Sequence, residues 1–196
     1  SGIHHLSSYA LTVEDKTKLN YDVKLGKVHV NEETAATQFD ILLAQLNLYG
    51  FEQYEISNFC KEEKYAKHNT SYWQGNSYIG LGPAAHSYDG KKRRWNIANN
   101  ALYMKGIREA SIYWEEEVLT VNDRYNEYIM TGLRTKWGIK TVEISSLFGN
   151  DVYEYFQKSF AECAYKDKLL VSEGTITITE HGRFFADAIA ASLFKI

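Results

Sequence analysis

Tyr54-Glu-Ile-Ser-Asn-Phe59, His68-Asn-Thr-Ser-Tyr-Trp73 and Tyr78-Ile-Gly-Leu-Gly-Pro-Ala-Ala-His-Ser-Tyr88 follow one another closely in a chain of 196 residues. Ligand-capable side chains, small residues and aromatics are denser here than a plain core requires. The first of the three closes a pattern that begins upstream. His5 to Leu11 reads as a short buried strand, and the polar stretch Thr17 to Val30 as a loop or ribbon. Asn31 is placed to cap a helix, with Glu32 and Glu33 in the first turn, where carboxylates suit the helix dipole. Ala36, Phe39, Leu43 and Leu46 recur at three- and four-residue spacing, which marks one buried face. Gly50 is a good C-terminal stop, and Phe51 to Phe59 returns to strand-like sequence. Strand, helix, strand is the βαβ unit of a parallel sheet or barrel. One such unit is clear. A complete (β/α) barrel takes roughly 200 residues or more, so the expectation is a partial barrel.

Downstream, Ser77 to Leu81 reads as another strand. Asp89-Gly90 is a hairpin turn signal between His86-Ser-Tyr and Arg93-Arg-Trp-Asn, which puts Lys91-Lys-Arg-Arg94 at the hairpin tip. Asn100 is a cap for a helix to about Ala110. From Thr120 the character changes. Asn122 or Asp123 caps a helix with Tyr125, Ile129 and Leu133 on one face, and Gly138 follows it. Thr141 to Phe148 reads as a short helix closed by Gly149, and Asp151 opens a third. Leu169 to Ser172 and Thr175 to Thr179 read as two strands around Glu173-Gly174. A last helix starts at Glu180, with Phe184, Ile189 and Leu193 apolar. Three helices, a β-hairpin and a helix describe a winged-helix-like module. The expected division is residues 1–118, barrel-derived with a hairpin extension, and 119–196, mostly helical.

Several residues could carry chemistry. His68 could ligate heme iron, with Tyr72 and Trp73 beside it to face a porphyrin; equally, it fits a histidine hydrogen-bonded at a loop-to-helix junction. Gly80-Leu-Gly82 lets backbone approach a ligand; a tight turn explains it as well, and the third glycine of a dinucleotide fingerprint is missing. Glu55, Ser57 and Asn58 lie where a barrel strand would open onto a catalytic face; a plain ion pair is the alternative for Glu55. His4, His5 and His29 have no supporting carboxylate spacing.

Bulk properties narrow the classes. Net charge is −3, and the helix from Asp151 to Lys166 carries acids and bases alike until its end, which disfavours a nucleic-acid partner. No apolar run reaches the roughly 18 residues of a transmembrane segment. Cys60 and Cys163 are far apart, so a reducing, cytoplasmic setting is expected rather than a disulfide framework. Neither zinc-type nor iron–sulfur cysteine spacing occurs.

Taken together, the three motifs resemble the C-terminal half of HemW-like radical SAM proteins, relatives of oxygen-independent coproporphyrinogen III oxidase. Ser7-Ser-Tyr-Ala-Leu-Thr-Val-Glu14 is similar to a late barrel strand of that family. Glu127-Tyr-Ile-Met-x-Gly-Leu-Arg134 and Ile178-Thr-Glu-His-Gly-Arg183 are similar to its C-terminal domain. The resemblance implies an α/β fold: a partial (β/α) barrel fragment followed by a winged-helix-like domain. It also implies S-adenosylmethionine and a [4Fe-4S] cluster in the full-length parent. Ala10, Gly80, Gly82, His86, Glu55 and Asn58 become candidates for the cofactor side, with Ala10 and His86 matching positions that line the S-adenosylmethionine pocket. His68, Tyr72 and Trp73 become candidates for heme. His86 departs from the aliphatic residue of the oxidase branch, which favours the heme-chaperone branch. The alternatives are the oxidase itself, decarboxylating coproporphyrinogen III, and a winged-helix protein-interaction module. The Cys-x-x-x-Cys-x-x-Cys motif of the cluster is absent here. The expectation is therefore the C-terminal portion of a longer protein, inactive by itself, whose partners are heme or porphyrin, the N-terminal half of its barrel and a heme-accepting protein.

Overall fold

A computed structural model describes residues 2–196; the side chain of Glu32, expected in a helix first turn, lies outside the described residues, as does Ser1. The chain divides into two compact units, Ser1–Tyr65 and Ala66–Ile196.

In the first unit, β1 (His5–Ser7) is followed by α1 (Lys18–Lys24), α2 (Glu32–Leu48), β2 (Glu52–Glu55) and β3 (Asn58–Cys60). Asn31 caps α2 as its sequence suggests, its side-chain oxygen accepting from Glu33 and Thr34 N–H. The far end closes with a Schellman pattern: Gly50 N–H donates to the Asn47 carbonyl, Phe51 N–H to that of Leu46, and Gly50 adopts φ +74°. Leu43 and Leu46 are buried with Phe51 and Phe59, and Phe39 and Leu42 pack on that cluster.

Two expectations fail here for local reasons. Residues 51–59 are not one strand. Ile56 and Ser57 turn the chain, and the Gln53 side-chain amide donates to the Ile56 carbonyl across that turn at 2.7 Å. The sheet order is therefore β1-β3-β2 with both pairings antiparallel, Ser7 opposite Asn58 and Glu55 opposite Asn58. β1 and β2 run the same way, as a βαβ unit demands, but β3 lies between them. Neither a parallel strand pair nor a closed barrel forms among the described residues. The other miss is α1, read as loop; Thr17 caps it by accepting from Asn20 N–H, a signal present in the sequence.

The second unit starts with α3 (Lys67–Trp73), β4 (His86–Tyr88), β5 (Lys92–Asn96), α4 (Asn100–Glu109) and β6 (Trp114–Val118). The Asp89-Gly90 turn forms as expected, Asp89 Oδ1 accepting from Lys91 and Lys92 N–H. Only Lys91 of the basic run lies at the tip. Arg93 and Arg94 stand inside β5, in register with Glu117 and Glu116 of β6, a strand that its glutamates disguised. Ser77 to Leu81 is not a strand either; one isolated bridge joins Tyr78 to Tyr88. Asn99, one residue before the expected cap, accepts from Leu102 N–H at the start of α4.

The remainder holds α5 (Val121–Leu133), β7 (Ile139–Lys140), α6 (Thr141–Phe148), α7 (Asn150–Glu162), β8 (Leu169–Ser172), β9 (Thr175–Ile178) and α8 (Ala186–Ser192), with a 3-10 turn at Lys166–Lys168 and another at Glu180–Phe185. The last expected helix thus begins as 3-10 and becomes α-helical only at Ala186. The third sheet has the order β7-β9-β8, antiparallel throughout. Tyr125, Ile129 and Leu133 of α5 are buried as predicted, in a core shared with Ile139, Ile144, Phe156, Ile176, Ile189 and Leu193. The Tyr125 hydroxyl donates to the Leu193 carbonyl at 2.9 Å, satisfying the polar end of a buried ring.

Thr120 caps α5, with Asp123 completing a capping box rather than serving as the cap itself. The Thr120 hydroxyl and N–H hold the Asp123 carboxylate below its ordinary range. A depressed carboxylate contributes stability above its unfolded pKa and loses it as pH falls through the folded value. Loss of the cap itself in Thr120→Ala is expected to cost about 1 kcal/mol at neutral pH. Urea unfolding at neutral and at acid pH checks this: the penalty should shrink at acid pH.

Candidate functional site

The motif 68–73 forms α3, and its i, i+4 spacing puts His68 and Tyr72 side by side on the helix surface. The Tyr72 hydroxyl lies 3.1 Å from His68 Nε2, and the two rings meet edge to face at 4.9 Å. Tyr72 in turn meets Tyr78 edge to face at 4.8 Å, and Tyr78 lies 6.0 Å from Tyr88. The result is a row of four rings with His68 at its exposed end. Ile79 and Leu81, next along the chain after Tyr78, are 83% and 86% exposed. Trp73 does not join the row. It leaves the other side of the helix, and the Arg134 guanidinium lies 5.4 Å over its ring. Trp73 is thus a packing contact between α3 and the end of α5.

At the row's inner end, burial and then the nearby Glu127 carboxylate push the Tyr88 phenol up, so it stays protonated. Glu127 of α5 is paired with Arg93 of β5, which ties the hairpin sheet to the helical part. This accounts for the first position of the Glu127-Tyr-Ile-Met-x-Gly-Leu-Arg134 motif. Arg134 accounts for the last: besides covering Trp73, it reaches Asp187 of α8 at 2.8 Å.

The Gly80-Leu-Gly82 loop is laced onto the hairpin from inside. Gly80 N–H donates to Ser87 Oγ at 3.0 Å, and Gly82 N–H to the Tyr103 hydroxyl at 3.2 Å. The buried Asn96 side chain donates to both glycine carbonyls, at 3.3 and 2.9 Å. A Cβ on Gly80 would stand 2.1 Å from the His86 carbonyl oxygen. Both amides expected to cradle a ligand already have protein partners, so these glycines set the path of the backbone. Asn96, Ser87 and Tyr103 were invisible as site residues, because only burial distinguishes a keystone asparagine from a surface one.

His86 itself faces a cleft of about 330 Å³ lined by Ala84, Trp95, Asn96, Ile97 and Glu115. Its ring is 6.3 Å from that of Trp95, whose indole N–H donates to Glu115 at 3.2 Å.

In the first unit, Glu55 and Asn58 are 2% and 1% exposed. Glu55 accepts from Asn58 Nδ2 and from Ser57 N–H, while Ser7 Oγ donates to Asn58 Oδ1 at 2.7 Å. His5 Nε2 is 2.8 Å from the hydroxyl of the fully buried Tyr54. Ala10 is exposed just after β1. Glu55, Asn58 and Ser7 therefore form one network; Ala10 is separate from it. Cys60 and Cys163 are both buried and free, and no three His, Cys, Asp or Glu side chains gather into a metal site among the described residues. Two separate buried thiols do not fit the ligand set of a [4Fe-4S] cluster.

Comparison with known proteins places this geometry. The fold matches that of Escherichia coli coproporphyrinogen III oxidase (HemN), described as a radical SAM enzyme, with a TM-score of 0.66, 16% identity and coverage of 88% of this chain and 44% of that one. The architecture is thus a mixed α/β one, that of the C-terminal portion of a radical SAM protein. Residues 119–185 match the HemN C-terminal domain model. The heme chaperone HemW of Bacillus subtilis is 29% identical over 94% of this chain and 49% of its own length. That of Mycobacterium tuberculosis is 29% identical over 98% and 48%. A mitochondrial radical S-adenosyl methionine domain-containing protein 1 of Danio rerio is 42% identical over 42% of this chain and 19% of its own. The chain is thus similar over almost its whole length to HemW heme chaperones, and over residues 119–185 to the HemN C-terminal domain. It spans about half the length of the curated relatives it matches. No helix among the described residues is long and apolar enough to cross a membrane.

Proposed function

We propose that this chain forms the heme-contacting part of a HemW-like heme chaperone, with heme docking on α3 at His68 and Tyr72. One observation carries the reading: an exposed imidazole and an exposed phenol are held together at the end of an aromatic row. Such a surface offers iron a ligand and a porphyrin face an apolar, aromatic floor. The HemW relatives support it, since they are named heme chaperones. Trp73 serves by fixing α3 against Arg134.

In the full-length protein, S-adenosylmethionine and a [4Fe-4S] cluster belong to the reading, with cluster ligands outside these residues. His86, in its cleft, is the cofactor-side residue of the second unit. Gly80 and Gly82 shape that cleft through their backbone path. Ala10, Glu55 and Asn58 are the corresponding positions of the first unit. By itself the chain is expected not to cleave S-adenosylmethionine. A division at 118/119 is supported by the start of the matched C-terminal domain at residue 119. The chain order α5-β7-α6-α7-β8-β9, with the sheet order β7-β9-β8, supports a winged-helix-like module there, suited to docking a heme-accepting protein.

Titration of the full-length protein with hemin, wild type against His68→Ala, tests the reading. The substitution is expected to weaken binding by about 10- to 100-fold and to change the Soret spectrum. Identical spectra and affinity would remove His68 from the role.

A further inference from the structure

The heme reading leaves open which atom meets the iron, and the geometry on α3 speaks to that. Among the described residues, the one side-chain hydrogen bond of His68 is with Tyr72, from Nε2 to the phenol oxygen at 3.1 Å. Metal-ligating histidines are usually oriented by a second partner on the other ring nitrogen. Here the histidine's partner is itself a possible ligand. Iron ligation by Nε2 has to break the pair. Ligation by the phenol oxygen preserves it, because the phenol proton then has an acceptor in place. The Tyr72 ring is also the better-fixed donor, held edge to face between His68 at 4.9 Å and Tyr78 at 4.8 Å. It nonetheless remains 39% exposed and so reachable by a planar ligand.

We infer that Tyr72 is the axial ligand of ferric heme, and that His68 is the base that receives its proton. The inference rests on the heme reading of α3. The step balances simply: an iron–oxygen bond forms, the O–H bond of Tyr72 breaks, and its proton moves to His68 Nε2 to give imidazolium. No electron is transferred. The phenolate cancels one positive charge of the ferric porphyrin, and the imidazolium remains hydrogen-bonded to the ligand oxygen. An anionic oxygen donor suits iron(III) far better than iron(II), so the site is selective for ferric heme.

The test uses hemin with the full-length protein, in three forms: wild type, Tyr72→Phe and His68→Gln. The ferric complexes are examined by electron paramagnetic resonance and by the phenolate-to-iron charge-transfer band. Circular dichroism checks folding; Phe keeps the ring and its packing. Wild type should give the high-spin signal and the band. Tyr72→Phe should lose both and bind ferric hemin more weakly, while binding of ferrous heme changes little. His68→Gln should keep the band with about 10- to 100-fold weaker affinity. If Tyr72→Phe leaves spectrum and affinity unchanged while His68→Gln abolishes them, the phenolate assignment falls and direct ligation by His68 stands. If neither substitution matters, heme docking on α3 falls as well.

Discussion

Gly80→Ala is expected to destabilise the second unit by about 3–5 kcal/mol, summing overpacking against backbone with a disrupted buried amide. The new Cβ would stand 2.1 Å from the His86 carbonyl oxygen and 2.7 Å from its nitrogen, and neither can move without shifting β4. Moving the loop instead separates Gly80 N–H from Ser87 Oγ and its carbonyl from the Asn96 amide. Asn96 is buried, so an amide proton left without an acceptor carries its full desolvation cost. Gly82→Ala supplies the comparison. Gly82 has φ +104° but open space where its Cβ would be, so only backbone strain is expected there, about 1–2 kcal/mol. Urea unfolding of both variants reads the difference. Near-equal penalties would mean that the loop does not press on His86. Hemin binding adds a second readout, since α3 touches the loop region through the Tyr72–Tyr78 ring contact.

What could be read from the sequence, and what could not, divides along range of interaction. Helix α2 was legible at both ends because Asn31, Gly50 and the Leu43/Leu46 spacing act within a few residues. The Asp89-Gly90 hairpin and the β8–β9 pair around Glu173-Gly174 were legible for the same reason. β6 was not. Glu115, Glu116 and Glu117 have poor strand propensity, and what holds them extended is the basic strand opposite: Lys92 and Arg94 both reach Glu116 at 3.0 Å. The error over Lys91–Arg94 and the error over β6 are one error, because each run makes sense only beside the other.

The site shows the same division. That His68 and Tyr72 share a face follows from a spacing of four on any helix. That Trp73 turns away to Arg134 depends on α5, sixty residues downstream. The order β1-β3-β2 depends on a two-residue turn at Ile56-Ser57 with neither glycine nor asparagine in it. It is stabilised by the Glu55 carboxylate, which accepts from Ser57 N–H. Read locally, that carboxylate is a polar group at a strand end; the fold adds that it braces a turn.

Gly138→Ala should be as damaging in the C-terminal part, at about 2–5 kcal/mol from left-handed strain and overpacking together. Gly138 makes the turn that takes the chain from α5 into β7, with φ +65°. Its Cβ would lie 2.2 Å from the Ile176 carbonyl oxygen and 2.7 Å from Thr177 Cγ2, against the central strand of the β7-β9-β8 sheet. The crowding is mutual, for a Cβ on Gly132 would meet Ile139 Cγ2 at 2.4 Å and the Gly138 carbonyl at 3.0 Å. Gly132 and Gly138 thus let α5 and this turn approach closely enough for Leu133, Ile139 and Ile176 to be buried together. Gly149→Ala separates the two causes. Gly149 has φ +92° with nothing within 4 Å of its missing Cβ, so it should lose only the conformational part, about 1–2 kcal/mol. Thermal or urea unfolding that ranks Gly138→Ala well below Gly149→Ala supports close packing of the turn on β9. Equal losses would place the turn away from β9 and leave the glycine explained by its dihedral angle alone.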